Sequence, residues 1–175
     1  MKVWDRPVRL LHWALMAAVA IATLSLWWSG GLHQPAGYAA LVIVLLRLSW
    51  GAIGSRYARF AQFVRSPRAT LAYLRLLRQG REPRYIGHNP LGGWMVVLLL
   101  ACVLGLALSG WLYTTDCLWG DERVDNIHRA LAWSLLGLVA LHVTGVIRTG
   151  LRHGESLVRA MIEGSKRDPG ADDVD

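Results

Sequence analysis

Apolar positions in this chain come in long, nearly continuous runs rather than in alternation. Four segments stand out: residues 8–29 (VRLLHWALMAAVAIATLSLWWS), 36–54 (AGYAALVIVLLRLSWGAIG), 92–113 (GGWMVVLLLACVLGLALSGWLY) and 128–150 (HRALAWSLLGLVALHVTGVIRTG). Each is close to the ~20 residues a helix needs to cross ~30 Å of hydrocarbon. Inside lipid every backbone polar group must be satisfied within the segment, so helices are expected; barrels give shorter, alternating stretches. The first segment is long for a signal-peptide core and runs into WWSGG instead of a small-residue cleavage site, so it is read as a retained helix.

The polar stretches between the runs differ in kind. Residues 55–91 contain SPRATLAYLRLLRQG, where Ser66 can cap a helix and Pro67 suits its first position. At helical spacing Thr70, Tyr73, Leu74 and Leu77 share one face, and Arg68, Arg75 and Arg78 another. A short amphipathic helix in the cytoplasmic interface is predicted there. The predicted fold is therefore all-α: an integral membrane four-helix bundle with this extra helix between helices 2 and 3. The bundle domain covers residues 1–163, and GSKRDPGADDVD, residues 164–175, is expected to be a disordered tail.

Composition sharpens the picture. Hydrophobic residues make up 54% of the 175 and charged ones 18%, less charge than a soluble domain of this length carries. The net charge of +7 is distributed as a topology signal. Lys2, Arg6 and Arg9 surround the start of the first run. Eight arginines (56, 59, 65, 68, 75, 78, 81 and 84) lie between the second and third, against Glu82 alone, and Arg148, Arg152 and Arg159 close the fourth. The two other loops are neutral (GGLHQP) and acidic (TTDCLWGDERVDN). By the positive-inside rule both termini and the long loop are cytoplasmic, and nucleic-acid binding explains none of this pattern. Trp27, Trp28, Trp111 and Trp119 fall near the outer boundary, Trp50 and Trp94 near the inner one, as in an aromatic belt. Cys102 and Cys117 form no CxxC or CxxCH, which excludes covalent c-type haem attachment, and both read as unpaired.

Histidines inside the runs carry the candidate chemistry. His128 and His142 are fourteen residues apart, so they sit on one helix face with ~40° of offset and ~21 Å of rise. His12 lies one turn into the first run, near the inner side; His33 precedes the second, near the outer side. Matching depths gives two pairs, His33 with His128 and His12 with His142. A lone buried histidine is most often a satisfied core residue, but ionisable groups in a membrane face the bundle interior and usually have a function. Two imidazoles across an apolar gap suit a planar cofactor with two open axial positions, as haem b has on its iron. With both axial positions filled, electron transfer is favoured over oxygen binding.

Further residues fit two such haems. Arg47, fourteen residues after His33, points the same way at the inner level, where a haem propionate would satisfy a buried guanidinium. Arg9 and Arg129 could serve likewise, or be ordinary flanking charge. Gly37 and Ala132, one turn from a proposed ligand, leave space for a porphyrin or simply allow close helix packing. His88, in YIGHNPLGG, is a candidate quinone or propionate contact, or interfacial structure; His153 reads as solvent-exposed.

These segments resemble the bacterial cytochrome b561 family, and most closely its branch of b-type cytochrome subunits of nickel-dependent hydrogenases. The resemblance rests on VWDRPVRLLHW, HQPAGYAALVIVLLRLSWG, NPLGGWM and NIHRALAWSLLGLVALH, over roughly residues 3–163. It implies a four-helix dihaem protein of the bacterial cytoplasmic (inner) membrane. Such a protein carries electrons between quinone and a redox partner, with His12, His33, His128 and His142 as ligands to the iron. It also implies that Arg47 matches an arginine the family carries after its second-helix histidine. The partner can be a hydrogenase, a periplasmic cytochrome c or a dehydrogenase, and self-association stays open. The sequence departs from the family in a short first outer loop, with Pro35 two residues after His33. Two other functions compete. One is a stand-alone superoxide:quinone oxidoreductase, which a relative of similar architecture exemplifies; it wants a basic outer entrance, and these outer loops are neutral to acidic apart from Arg123 and Arg129. The other is a haem-free proton-coupled transporter using the histidines as relays.

Overall fold

A computed structural model describes residues 1–28 and 31–175. Ser29 and Gly30, where the first predicted span ends and the first outer loop begins, lie outside the described residues. The protein is all-α. Seven α-helices occur among the described residues: α1 (Arg6–Ser25), α2 (His33–Ile53), α3 (Phe60–Phe63), α4 (Pro67–Arg78), α5 (Pro90–Tyr113), α6 (Glu122–His153) and α7 (Leu157–Glu163), with one 3-10 turn at Arg56–Ala58. Four of them, α1, α2, α5 and α6, are long and apolar enough to cross a membrane. Leu10, Met16, Val42, Leu45, Leu98, Trp133 and Leu141 are exposed on these four, as helices facing hydrocarbon require.

Each boundary has a local cause. Asp5 caps α1: its Oδ1 accepts from the Val8 amide at 2.7 Å. α2 starts at His33, three residues before the predicted span. Pro35 sits inside its first turn, where a missing N–H costs nothing. In α4 Ser66 Oγ accepts from the Ala69 amide and Pro67 opens the helix, as predicted. Tyr73 is buried there, while Arg68, Arg75 and Arg78 are exposed. Asn89 Oδ1 caps α5 through the Gly92 amide at 2.7 Å. α6 runs well past the predicted 128–150. Asp121 Oδ1 accepts from the Arg123 and Val124 amides, Glu122 and Asp125 lie in its first turn, and Arg152 and His153 in its last. These charges suit the helix dipole at both ends.

The chain divides into two compact units. One comprises Met1–Arg9, Ser49–Val97 and Ala140–Asp175. Its core is Val3, Trp4, Val8, Tyr57, Ala58, Ile86 and Ala160, with Trp50 and Met161 packed against it. Asp5 Oδ2 accepts from Trp50 Nε1 at 2.9 Å and Ser55 Oγ at 2.5 Å, tying the start of α1 to the end of α2. Gly93 lies so close to Phe63 that a Cβ would stand 2.4 Å from the Phe63 carbonyl oxygen. α7 was not anticipated; Ser156 caps it and Gly164, at φ +85°, ends it in the left-handed conformation.

The tail expected to be disordered is docked in this unit. Val3 and Trp4 amides donate to the Gly164 carbonyl, and the Val174 amide to that of Arg84. Tyr57 Oη donates to Asp175 Oδ1 at 2.7 Å. The buried Arg84 guanidinium binds Glu155 at 2.8 Å, Asp173, and the Arg167 carbonyl at 3.0 Å. Its hydrogen bond to Glu155 is the chief reason its pKa rises. Burial pushes the Glu155 carboxyl up, but hydrogen bonds from Arg84 and the Arg167 amide outweigh that and hold it below the usual range. Lys166, largely buried, is driven down to about 8 by desolvation, and its Nζ reaches toward the Tyr85 and Gly87 carbonyls. The composition of residues 164–175 favours disorder, but their carboxylates meet a buried cation that an isolated tail would lack.

The second unit comprises Leu10–Leu48 and Leu98–Val139. Small groups knit α5 to α6: Cys102 Sγ donates to the Leu131 carbonyl at 3.3 Å, and a Cβ on Gly105 would stand 3.2 Å from a Leu131 methyl. Both cysteines are free.

Candidate haem site

In the second unit the His33 and His128 rings face each other, with centroids 6.0 Å apart and planes 77° apart. His33 opens α2, and its Nδ1 lies 2.9 Å from the Ala22 carbonyl oxygen of α1. A carbonyl only accepts, so Nδ1 carries the proton and Nε2 keeps its lone pair. His128 is one and a half turns into α6, with its Nδ1 3.0 Å from Ser109 Oγ of α5. Ser109 Oγ lies 3.1 Å from the Leu106 carbonyl, which is also a hydrogen-bond partner of the His128 ring. With Nδ1 protonated toward these two oxygens, His128, like His33, offers Nε2.

This arrangement matches what a metal-ligating histidine needs. Such a residue donates its second N–H to a carbonyl or other acceptor, which sets the ring and raises its basicity. A first-row metal takes an imidazole nitrogen at about 2 Å, with the ring centre roughly 1 Å behind, so two rings clamping one metal stand about 6 Å apart. Space is available beside the pair: a Cβ added to Gly37, one turn after His33, would meet nothing within 4 Å. Gly110 gives the His128 ring its place, since a Cβ there would stand 3.2 Å from His128 Cε1. The donor set and its surroundings fit a bis-imidazole haem.

The other candidate residues are distributed as follows. Arg47 is buried in the same unit, 7% exposed. His12, half-buried, also belongs to it and packs edge-on against Trp13 at 5.2 Å. His142 is half-buried in the first unit. Along α6, His128, Leu131, Leu135, Leu138, His142 and Val146 form one sheltered stripe at three- and four-residue spacing, so both histidines avoid the exposed face. Arg9 is turned to α7, donating from Nη1 to the Glu163 carbonyl at 2.8 Å. Arg129 is exposed and paired with Asp125 one turn earlier. The His88 ring is tilted against those of Trp4, at 4.7 Å, and Phe63, at 4.6 Å. His153 is half-buried, not exposed as the sequence reading had it.

Ser109, Gly110 and the Ala22 carbonyl are the site features that sequence reasoning missed. A serine in an apolar helix ordinarily bonds back to its own turn, as Ser109 also does.

Comparison with known proteins agrees with this chemistry. The profile of prokaryotic cytochrome b561 matches residues 3–164. A probable Ni/Fe-hydrogenase B-type cytochrome subunit of Rhizobium leguminosarum bv. viciae is 23% identical, over 94% of this chain and 87% of its own length. A protein of the same description from Azotobacter vinelandii is 24% identical (93% and 86%). The probable Ni/Fe-hydrogenase 1 B-type cytochrome subunit of Escherichia coli K12 is 22% identical (93% and 88%). The Rhizobium alignment spans 212 positions against a chain of 175 residues, so that relative holds insertions this chain lacks. No solved structure matches. With four apolar helices and a profile match over nearly its whole length, the chain belongs to the prokaryotic cytochrome b561 family, the b-type haem electron-transport proteins of the bacterial inner membrane.

Proposed function

We propose that the protein is a dihaem cytochrome that passes electrons between the membrane quinone pool and a redox partner. One haem b is held by His33 and His128, the second by His12 and His142. The observation that carries the reading is the His33–His128 pair, 6.0 Å apart, with Nδ1 of His33 2.9 Å from the Ala22 carbonyl and Nδ1 of His128 3.0 Å from Ser109 Oγ. Haem b supplies reversible one-electron iron chemistry when bound. The chain supplies position: α6 carries one ligand of each pair, and α1 and α2 carry the others. Buried Arg47 compensates propionate charge. Imidazoles on both sides of each iron would leave no position open to a small ligand. A family of b-type cytochromes also weighs against a haem-free histidine relay.

Hydrogenase is the leading candidate partner, because the relatives are described as hydrogenase subunits. The arginines of residues 55–91 support cytoplasmic termini. The pairing of Arg129 with Asp125 removes an outer cation that a superoxide entrance would use.

The test is a reduced-minus-oxidised spectrum of the purified protein with a haem-to-protein ratio, followed by mixing with a reduced quinone analogue. Two low-spin b haems, one of them lost in His128→Ala, and reduction by the quinol are expected. A colourless protein, or a His128→Ala variant retaining both haems, overturns the ligand assignment.

A further inference from the structure

We propose that Ser109 is a positioning residue that sets the redox potential of the haem held by His33 and His128, making it differ from its counterpart. The inference deepens the proposed function and rests on His33 and His128 being the ligands.

The two imidazoles are supported differently. The acceptor for His33 is the Ala22 main-chain carbonyl, which no substitution removes. Two oxygens stand at the His128 ring: Ser109 Oγ, 3.0 Å from Nδ1, and the Leu106 carbonyl. Ser109 is buried, 7% exposed, and its Oγ lies 3.1 Å from the same Leu106 carbonyl. With its hydrogen on that carbonyl, Ser109 Oγ presents a lone pair to Nδ1–H of His128, and of the two acceptors it is the one a substitution can remove. Accepting that proton makes the imidazole a stronger donor at Nε2, and a stronger donor favours ferric over ferrous iron. Ser109 thus lowers the potential of this haem. It also holds the ring plane, with Gly110 giving the clearance for Cε1.

Ser109→Ala and Ser109→Thr in the full-length haem-loaded protein test this by redox titration and EPR. In Ser109→Ala one of the two titration components is expected to move to higher potential while the other stays, and the EPR signal of that one haem to change. Affinity for the same haem is expected to fall about 10-fold or more, read as faster haem transfer to apomyoglobin. Ser109→Thr keeps the hydroxyl and is expected to restore all three. Unchanged components and EPR in Ser109→Ala overturn the inference, as do equal shifts of both haems or a change that Ser109→Thr fails to rescue. His128→Ala, run in parallel, separates the two levels. If it keeps both haems, the ligand assignment has failed; if it loses one while Ser109→Ala changes nothing, the role of Ser109 alone has failed.

Discussion

Three neighbours decide where the His128 imidazole points: the Ser109 oxygen, the Gly110 backbone and the His33 ring. Gly110 is the least forgiving. The Cβ of a larger residue would stand 3.2 Å from His128 Cε1, and a branched side chain adds atoms beyond it. Gly110→Val is therefore expected to lower haem content while leaving helix content unchanged, as measured by pyridine haemochrome and circular dichroism. Much at this scale was legible in the sequence. Helical period alone relates His128 to His142 and His33 to Arg47. The surroundings of each ring were not, because they come from other helices: a carbonyl has no sequence signature, and Arg9 is engaged by a helix the sequence did not announce.

Helix ends carry the next level of specification. The Asp121 carboxylate takes two amides of α6 and sits at the positive end of its dipole. Asp121→Ala is expected to destabilise by about 1 kcal/mol, read as a lower melting temperature in detergent with haem content unchanged. At the start of α5, Gly93 is needed for close approach. Gly93→Ala drives a methyl into the Phe63 carbonyl and is expected to destabilise by about 1–3 kcal/mol, read in the same melt. The four spans and α4 could be read from hydrophobic runs and a Ser-Pro start. The ends of α6 could not, because hydropathy falls where charged turns leave the hydrocarbon although the helix continues. The seven-residue α7 is too short for a periodic signal.

Across the whole molecule, the docking of residues 164–175 makes stability depend on pH. Lys166 has its pKa lowered from 10.5 to about 8 in the folded protein, so holding it protonated there costs free energy. The cost is fully present at pH 7, lessens as pH rises past 8, and is gone above the unfolded value of 10.5. Detergent-solubilised protein is expected to resist denaturant better at pH 9.5 than at pH 7, and Lys166→Met to flatten this difference; equal midpoints for the wild type would contradict it. Acid acts through Glu155 and Asp173, both held below their ordinary values, Asp173 first by the Gly170 amide. Their contribution is present near neutrality and is lost as pH falls through the folded values. The number of spans was the most readable feature at this scale, since run length is summed over many residues. The docked tail was the least readable, because it depends on a single buried guanidinium 71 residues before Glu155 and 89 before Asp173.

α6 continues without interruption from Glu122 to His153, so it works as a ruler with an angular scale as well as a linear one. One residue inserted between His128 and His142 would swing the lower imidazole by about 100° and carry it to the lipid side, whereas four would bring it back to within about 40° of its bearing, displaced by about one turn. Register along this one rod is consequently a stricter condition on the molecule than the identity of almost any apolar side chain it displays.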